Sequence, residues 1–173
     1  MAALRAPSRP SRRGDARRTA VRQEAASPVV IRRVRREDLP QIVAIDATVT
    51  GLEKRDYWRS LFSRYGGNGR AERQFLVAEA GRRVAGMVIG EVRDWEFGSP
   101  PCGWVFAIDV DPDFRQAGIG ARLLEAICAS FRRAGVSKVR TLLARDNTLI
   151  LSFFRSQGMM AGPFIPLEMD LDG

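Results

Sequence analysis

Between Asp109 and Ile127 the chain reads DVDPDFRQAGIGARLLEAI, and two glycines, Gly118 and Gly120, stand where an apolar stretch gives way to a helical pattern. A strand that turns into a helix start leaves the first-turn N–H groups without acceptors, at the positive end of the helix dipole. Phosphate oxygens suit that position. A tight turn that needs small residues for helix packing would use the same glycines, so the spacing alone admits both readings. No Gly-Lys-Ser/Thr follows, which excludes a P-loop, and Leu123 stands where a dinucleotide fingerprint needs Gly or Ala.

The proton chemistry open to the chain is narrow. Histidine is absent, which removes Ser-His and Cys-His arrangements and the default general base near neutral pH. Cys102 and Cys128 are the only cysteines, so neither a disulfide framework nor a zinc spacing can be written, and no metal is expected. Any base must be a carboxylate, an amine, a phenol or water.

The elements that position this turn belong to a chain of 173 residues, 45% hydrophobic, a size and composition that suit one compact domain. No apolar run approaches a membrane span, so the expectation is a soluble, cytoplasmic protein with no membrane partner. Residues 1–28 hold seven Arg against Asp15 and Glu24, which is +5 of the net +8. Their Ser/Pro/Ala/Arg composition lacks apolar periodicity and reads as a disordered tail. A transit peptide has similar Arg-rich, acid-poor composition. Nucleic-acid binding through the tail is not the expectation, and it would show a steep loss of affinity with salt.

From residue 29 to 173 the pattern becomes that of a folded domain. VVIRRV reads as a strand and RREDLPQIVAIDATV as a helix beginning near Glu37, with a second helix over Lys54 to Tyr65 ended by Gly66 and Gly67. Gln74 to Ala80 and Arg83 to Asp94 form a hairpin about Gly81-Arg82, and Gly86 and Gly90 permit a bulge or a close backbone approach. CGWVFAIDV is apolar enough to predict burial on both faces. A helix from Gly118 to Arg133 presents Leu123, Leu124, Ile127, Cys128 and Phe131 on one side and stops at Gly135. Strand KVRTLLA, helix NTLILSFFRSQ and a last strand near FIPLEMDL complete the order β-α-α-β-β-β-α-β-α-β. The predicted class is α/β, of the α+β mixed kind, with about four helices flanking the sheet.

Two segments carry a family resemblance. VDPDFRQAGIGARLLE resembles the acetyl-CoA signature of the GNAT superfamily of N-acyltransferases, Gln/Arg-x-x-Gly-x-Gly/Ala, with Arg115, Gly118 and Gly120 in the matching positions. ARDNTLILSFFRSQGM resembles the family's Asn-x6-Tyr-x3-Gly-Phe segment, where Asn147 and Gly158 fit and Phe154 and Met159 replace Tyr and Phe. The resemblance spans about Val29 to Leu171. It implies a mostly antiparallel sheet whose fourth and fifth strands splay apart to admit acetyl-CoA as cosubstrate. By the same resemblance, the backbone of Ile108 and Val110 would meet the acetyl carbonyl and the pantetheine arm, with Ile108 polarising the carbonyl. The amides of Gln116, Ala117, Gly118, Ile119, Gly120 and Ala121 would hold the pyrophosphate, with Arg115 as charge partner. Asn147 would orient the pantetheine arm and Phe154 would lie near the thioester.

The implied activity is acetyl transfer to a primary amine, on a protein Lys, an N-terminus or a small molecule, by direct attack in a ternary complex. Backbone N–H groups and proximity supply much of such catalysis. Neutralising a lysine amine at pH 7 costs about 4.6 kcal/mol, against about 1 to 1.4 kcal/mol for an α-amine, so a lysine acceptor gains more from a base. By the resemblance, the glutamate bases of relatives are missing, since Leu142 and Trp104 occupy their positions, and Phe154 stands where some relatives carry a tyrosine, whose loss is tolerable because a thiolate can leave and be protonated by water. The nearest substitutes are Glu91, Asp94, Glu96 and Asp109, with Glu91 ahead. An acidic residue at a strand end is more often solvated or paired with Arg than catalytic.

The resemblance places the acceptor at KRDYW and DWEFGSPP, where Tyr57, Trp58, Asp94, Trp95 and Glu96 form an aromatic and acidic mixture suited to a cationic amine. Either tryptophan could instead pack against the sheet. A catalytically weakened acyl-CoA-binding sensor or interaction module is the alternative to an enzyme, motivated by Leu142, Trp104 and Phe154. An exposed sheet edge could support a homodimer.

Overall fold

The computed structural model describes residues 28–67, 72–115 and 117–171, so the predicted tail and Gln116 lie outside the described residues. These residues divide into two compact units, one ending at Thr141 and one beginning at Leu142.

The first unit is built on a sheet of five strands in sequential order: β1 (Val29–Arg33), β2 (Arg73–Ala80), β3 (Arg83–Arg93), β4 (Cys102–Val110) and β5 (Val139–Arg140). The first four pair antiparallel, and β5 runs parallel to β4. Helices α1 (Leu39–Thr50) and α2 (Arg55–Tyr65) follow β1, and α3 (Ile119–Arg133) links β4 to β5. The hairpin turn falls at Gly81-Arg82 as the sequence predicts, with Gly81 at φ 61°.

Period-2 alternation sorts the sheet residues between two cores. Phe75, Val77, Met87 and Ile89 join Ile42, Val43, Trp58 and Leu61 of α1 and α2 in one buried cluster. On the opposite face α3 buries Ile119, Leu123, Leu124, Ile127 and Phe131, the stripe its sequence shows, with Cys128 half-buried beside it. Phe131 lies so close that a Cβ on Gly103 would overlap its ring, and a Cβ on Gly90 would overlap both that ring and the Trp104 carbonyl. The glycines in β3 and β4 are therefore sites of close approach.

Three predictions are corrected. CGWVFAIDV is not buried on both faces: Cys102, Gly103 and Val105 are buried, Phe106 is exposed, and Ala107 to Val110 are half-buried. The strand loses its outer neighbour beyond Trp104, because β5 spans two residues rather than the seven of KVRTLLA. Nor does FIPLEMDL form a strand among the described residues: positions 161–171 are exposed and carry no ladder. Alternation of Ile165, Leu167, Met169 and Leu171 imitates a strand, but Pro163 and Pro166 lack the N–H donors a ladder needs.

The second unit contains α4 (Thr148–Ser156). Asn147 caps this helix, its Oδ1 accepting from Ile150 N at 3.2 Å. Gly158 closes it at φ 83°.

Candidate active site

The site begins with an interruption in β4. Its register against β3 shifts between Ile89 and Gly90, which pair with Ala107 and Val105, so Phe106 stands unpaired as a bulge. A bulge bends its strand and strengthens the twist. β5 meets β4 only at Gly103 and Trp104, where Gly103 N–H donates to Lys138 O at 2.9 Å. From Val105 to Val110 the outer edge of β4 has no strand partner among the described residues.

The direction of the backbone groups follows. Asp111 N–H turns inward and donates to Ala85 O of β3 at 3.0 Å. Backbone groups of successive strand residues alternate between the two edges. Asp109 therefore shares the inward direction, and the N–H and C=O groups of Ile108 and Val110 face the open edge.

Beyond β4 the chain is tied down before it reaches the glycine turn. Asp111 Oδ1 caps a single 3₁₀ turn (Pro112–Phe114) by accepting from Asp113 N at 3.0 Å. Arg83 bridges Asp111 at 2.8 Å and Asp113 at 3.2 Å, and its guanidinium lies 4.8 Å from the centroid of the buried Phe114 ring. Gly118 then takes φ 69° as the N-cap of α3, a conformation that favours glycine. No side chain among the described residues caps this helix. The amides of Ile119, Gly120 and Ala121 thus begin the helix without intrahelical acceptors. Ile119 is buried and anchors the first turn, Gly120 and Ala121 are half-buried, and Arg115 and Ala117 are exposed. This arrangement suits an anion at the helix start and an extended ligand along β4, as a nucleotide thioester would require.

On the α1–α2 face of the sheet, Glu91 stands directly opposite Trp104. Tyr65 Oη donates to Glu91 Oε2 at 2.9 Å, and Arg93 Nε donates to Oε1 at 3.2 Å, with Arg73 Nε 4.0 Å away. Burial and the Glu91 carboxylate push the Tyr65 phenol above its ordinary range. The Tyr65 ring packs edge-on against Phe106, with centroids 5.3 Å apart. Glu91 is therefore held in one orientation beside Trp104.

Asp109 presents a different carboxylate. It is half-buried and makes no hydrogen bond or ion pair among the described residues. Burial first, and the charge of Asp46 second, raise its carboxyl above the ordinary range, with Lys54 and Arg115 opposing. Asp46 itself is buried and engaged, accepting from Trp58 Nε1 at 2.8 Å and pairing with Lys54 Nζ at 3.0 Å. Periodicity gives no sign of either Tyr65 as a partner for Glu91 or Asp46 as a neighbour of Asp109, because both contacts join distant segments.

The predicted acceptor residues separate. Trp58 is in the core, 2% exposed and 6.1 Å from the Phe75 ring, so it cannot meet an acceptor. Its indole N–H serves Asp46 instead. Tyr57 is exposed, with Lys54 Nζ 5.4 Å from its ring centroid. Asp94, Trp95 and Glu96 are exposed on the β3–β4 loop, where Trp95 adopts φ 50° and Glu96 lies 3.7 Å from Arg93 Nη1. In the second unit Asn147 is exposed and its side chain is used as a cap, while Phe154 is buried with its ring 5.1 Å from Phe153.

Comparison with known proteins adds an independent line. The profile of the Acetyltransferase (GNAT) family matches residues 37–159. No curated protein sequence gives a significant match. Among solved structures, the chain is similar to the aminoglycoside N-acetyltransferase AAC(6')-Iy in complex with CoA, at 17% identity and a TM-score of 0.73, covering 84% of this chain and 97% of that one. It is also similar to the aminoglycoside 6'-N-acetyltransferase AAC(6')-Ih of Acinetobacter baumannii, at 15% identity and TM-score 0.71, covering 84% and 100%. A third is the glucosamine-6-phosphate N-acetyltransferase of Arabidopsis thaliana, at 17% identity and TM-score 0.65, again covering 84% and 100%. Likeness at such identities speaks for the fold.

Proposed function

Given that the chain belongs to the Acetyltransferase (GNAT) family, we propose that this acetyltransferase moves the acetyl group of acetyl-CoA to a primary amine by direct attack in a ternary complex. The observation that carries this reading is the open edge of β4, where Ile108 and Val110 face outward and the strand leads to the uncapped start of α3. Acetyl-CoA supplies a thioester carbonyl that a neutral amine attacks, releasing the CoA thiol. The backbone of Ile108 polarises that carbonyl and Val110 holds the pantetheine arm. The amides from Ala117 to Ala121, with Gln116, hold the pyrophosphate, and Arg115 offers a guanidinium to it. Asn147 orients the arm and Phe154 lies near the thioester, both by the family resemblance.

Glu91 is the residue we assign as base. Tyr65 and Arg93 hold its carboxylate in one orientation, ready to take a proton directly or through one water. A second reading places the base at Asp109, favoured by its raised carboxyl and lack of partners. A raised carboxyl suits proton abstraction by Asp109, whereas the contacts of Glu91 favour fixed geometry.

The acceptor is an amine on a small molecule or a protein, received by Tyr57, Asp94, Trp95 and Glu96. Amino sugars head the candidates, since several similar folds are named as acetyltransferases of aminoglycosides or glucosamine-6-phosphate. Thiol release from acetyl-CoA, measured across amino sugars, polyamines, amino acids and Lys- or α-amino-bearing peptides, tests the proposal. Acceptor-dependent release supports it, and tight acetyl-CoA binding without turnover on any acceptor favours the binding-module alternative.

A further inference from the structure

The turn that carries the chain from β4 to the start of α3 is acidic as well as short. Asp109, Asp111 and Asp113 alternate through DVDPD, and Gly118, the N-cap of α3, follows soon after. Carboxylates so placed repel an anion drawn to the helix start. A turn free to move would also lose conformational freedom when that anion binds.

One guanidinium from a distant segment answers both problems. Arg83, the first residue of β3, donates through Nη2 to Asp111 Oδ2 at 2.8 Å and to Asp113 Oδ2 at 3.2 Å. Its guanidinium also lies 4.8 Å from the centroid of the buried Phe114 ring. The platform beneath Arg83 is itself held. Val84 N–H donates to Gln41 Oε1 of α1 at 2.9 Å, and Ala85 O accepts from Asp111 N at 3.0 Å. Within the turn, Asp113 N–H donates to Asp111 Oδ1 at 3.0 Å and Phe114 N–H to Asp111 O at 2.8 Å. The turn is thus anchored to β3 as far as Phe114, three residues before the exposed Ala117 and Gly118 begin the helix start. Asp113 is half exposed, and ion pairs open to water add little to stability, so the effect of Arg83 is to be sought in ligand affinity.

We propose that Arg83 is a positioning residue for the pyrophosphate half of acetyl-CoA: it holds the β4–α3 turn in place and offsets the charges of Asp111 and Asp113. The inference rests on the acetyl-CoA reading above and assigns Arg83 no contact with the ligand. It acts through Asp111, Asp113 and Phe114, which fix the approach to the amides of Ile119, Gly120 and Ala121.

Calorimetric titration of the full-length protein with acetyl-CoA and with acetyl-pantetheine, which carries the thioester but no pyrophosphate, tests the proposal. Arg83→Met keeps an apolar chain over Phe114 and removes the charge. It should weaken acetyl-CoA about tenfold while acetyl-pantetheine binds as it does to the parent. The difference from the parent should shrink as salt is raised, because part of it is repulsion by Asp111 and Asp113. Arg83→Lys keeps the charge without the planar fork, should fall between the two, and serves if Arg83→Met fails to fold. Parent-like acetyl-CoA affinity in these variants, or an equal loss for both ligands, would overturn this inference and leave the acetyl-CoA reading standing. Absence of acetyl-CoA binding by the parent would overturn that reading and this inference with it.

Discussion

The Tyr65 hydroxyl, at the last residue of α2, donates a 2.9 Å hydrogen bond to Glu91 Oε2 near the end of β3. That bond ties a helix terminus to the carboxylate beside the bulged strand. Glu91→Gln should lower kcat by about 10²-fold or more if Glu91 takes the proton, with the acetyl-CoA KM nearly unchanged. Tyr65→Phe should lower kcat less, since the carboxylate remains and only its orientation is loosened. Full activity of Glu91→Gln would move the role to Asp109.

The pH profile separates the two carboxylates. A base must be ionised, so if Asp109 serves, activity falls as pH drops through its raised pKa, and the acid limb lies above the ordinary carboxylate range. In Asp109→Asn that limb should disappear together with most of the rate. If Glu91 serves, Asp109→Asn keeps most of the rate and Glu91→Gln loses it.

Substitution of Gly120 addresses the helix start. Gly120→Glu places bulk and negative charge against the pyrophosphate and should abolish acetyl-CoA binding while the protein stays folded. Unchanged affinity by calorimetry would remove the site from the start of α3.

Packing makes a further prediction. Gly103→Ala puts a methyl group into the Phe131 ring, and small-to-large changes in a packed core cost about 1–3 kcal/mol. A lowered thermal midpoint is expected, and a midpoint equal to the parent's would contradict the close approach of α3 to β4.

Much of this arrangement was legible in the residues. Both glycine turns, the α3 stripe and the hairpin follow from local chemistry, because periodicity and positive-φ glycines are properties of short segments. The open edge of β4 was foreseen only through the family resemblance, since apolar runs do not reveal that β5 pairs with β4 at Gly103 and Trp104 alone among the described residues. Trp58 and Trp95 look alike in sequence, yet one is core and the other exposed. That difference is set by Asp46 and Phe75, which meet the Trp58 ring from separate elements. FIPLEMDL misled because alternation is necessary for a strand, whereas a ladder also needs donors and a partner.

Acid stability should depend on Asp38. Burial alone would raise its carboxyl, but the Arg32 guanidinium and the Arg35 N–H outweigh it and hold the pKa below the ordinary range. A carboxyl lowered on folding contributes stability that is full above the unfolded value of about 3.9 and is lost as pH falls through the folded one. Asp38→Asn should be less stable than the parent at neutral pH and lose less on acidification. Parallel pH dependence of the two melting temperatures would contradict this linkage.

The most direct measurement is thiol release from acetyl-CoA by the purified protein across the acceptor panel, with calorimetric binding of acetyl-CoA alongside. The account predicts saturable acetyl-CoA binding and thiol release that depends on an added amine, both absent in Gly120→Glu. Failure of the parent protein to bind acetyl-CoA at all would contradict it.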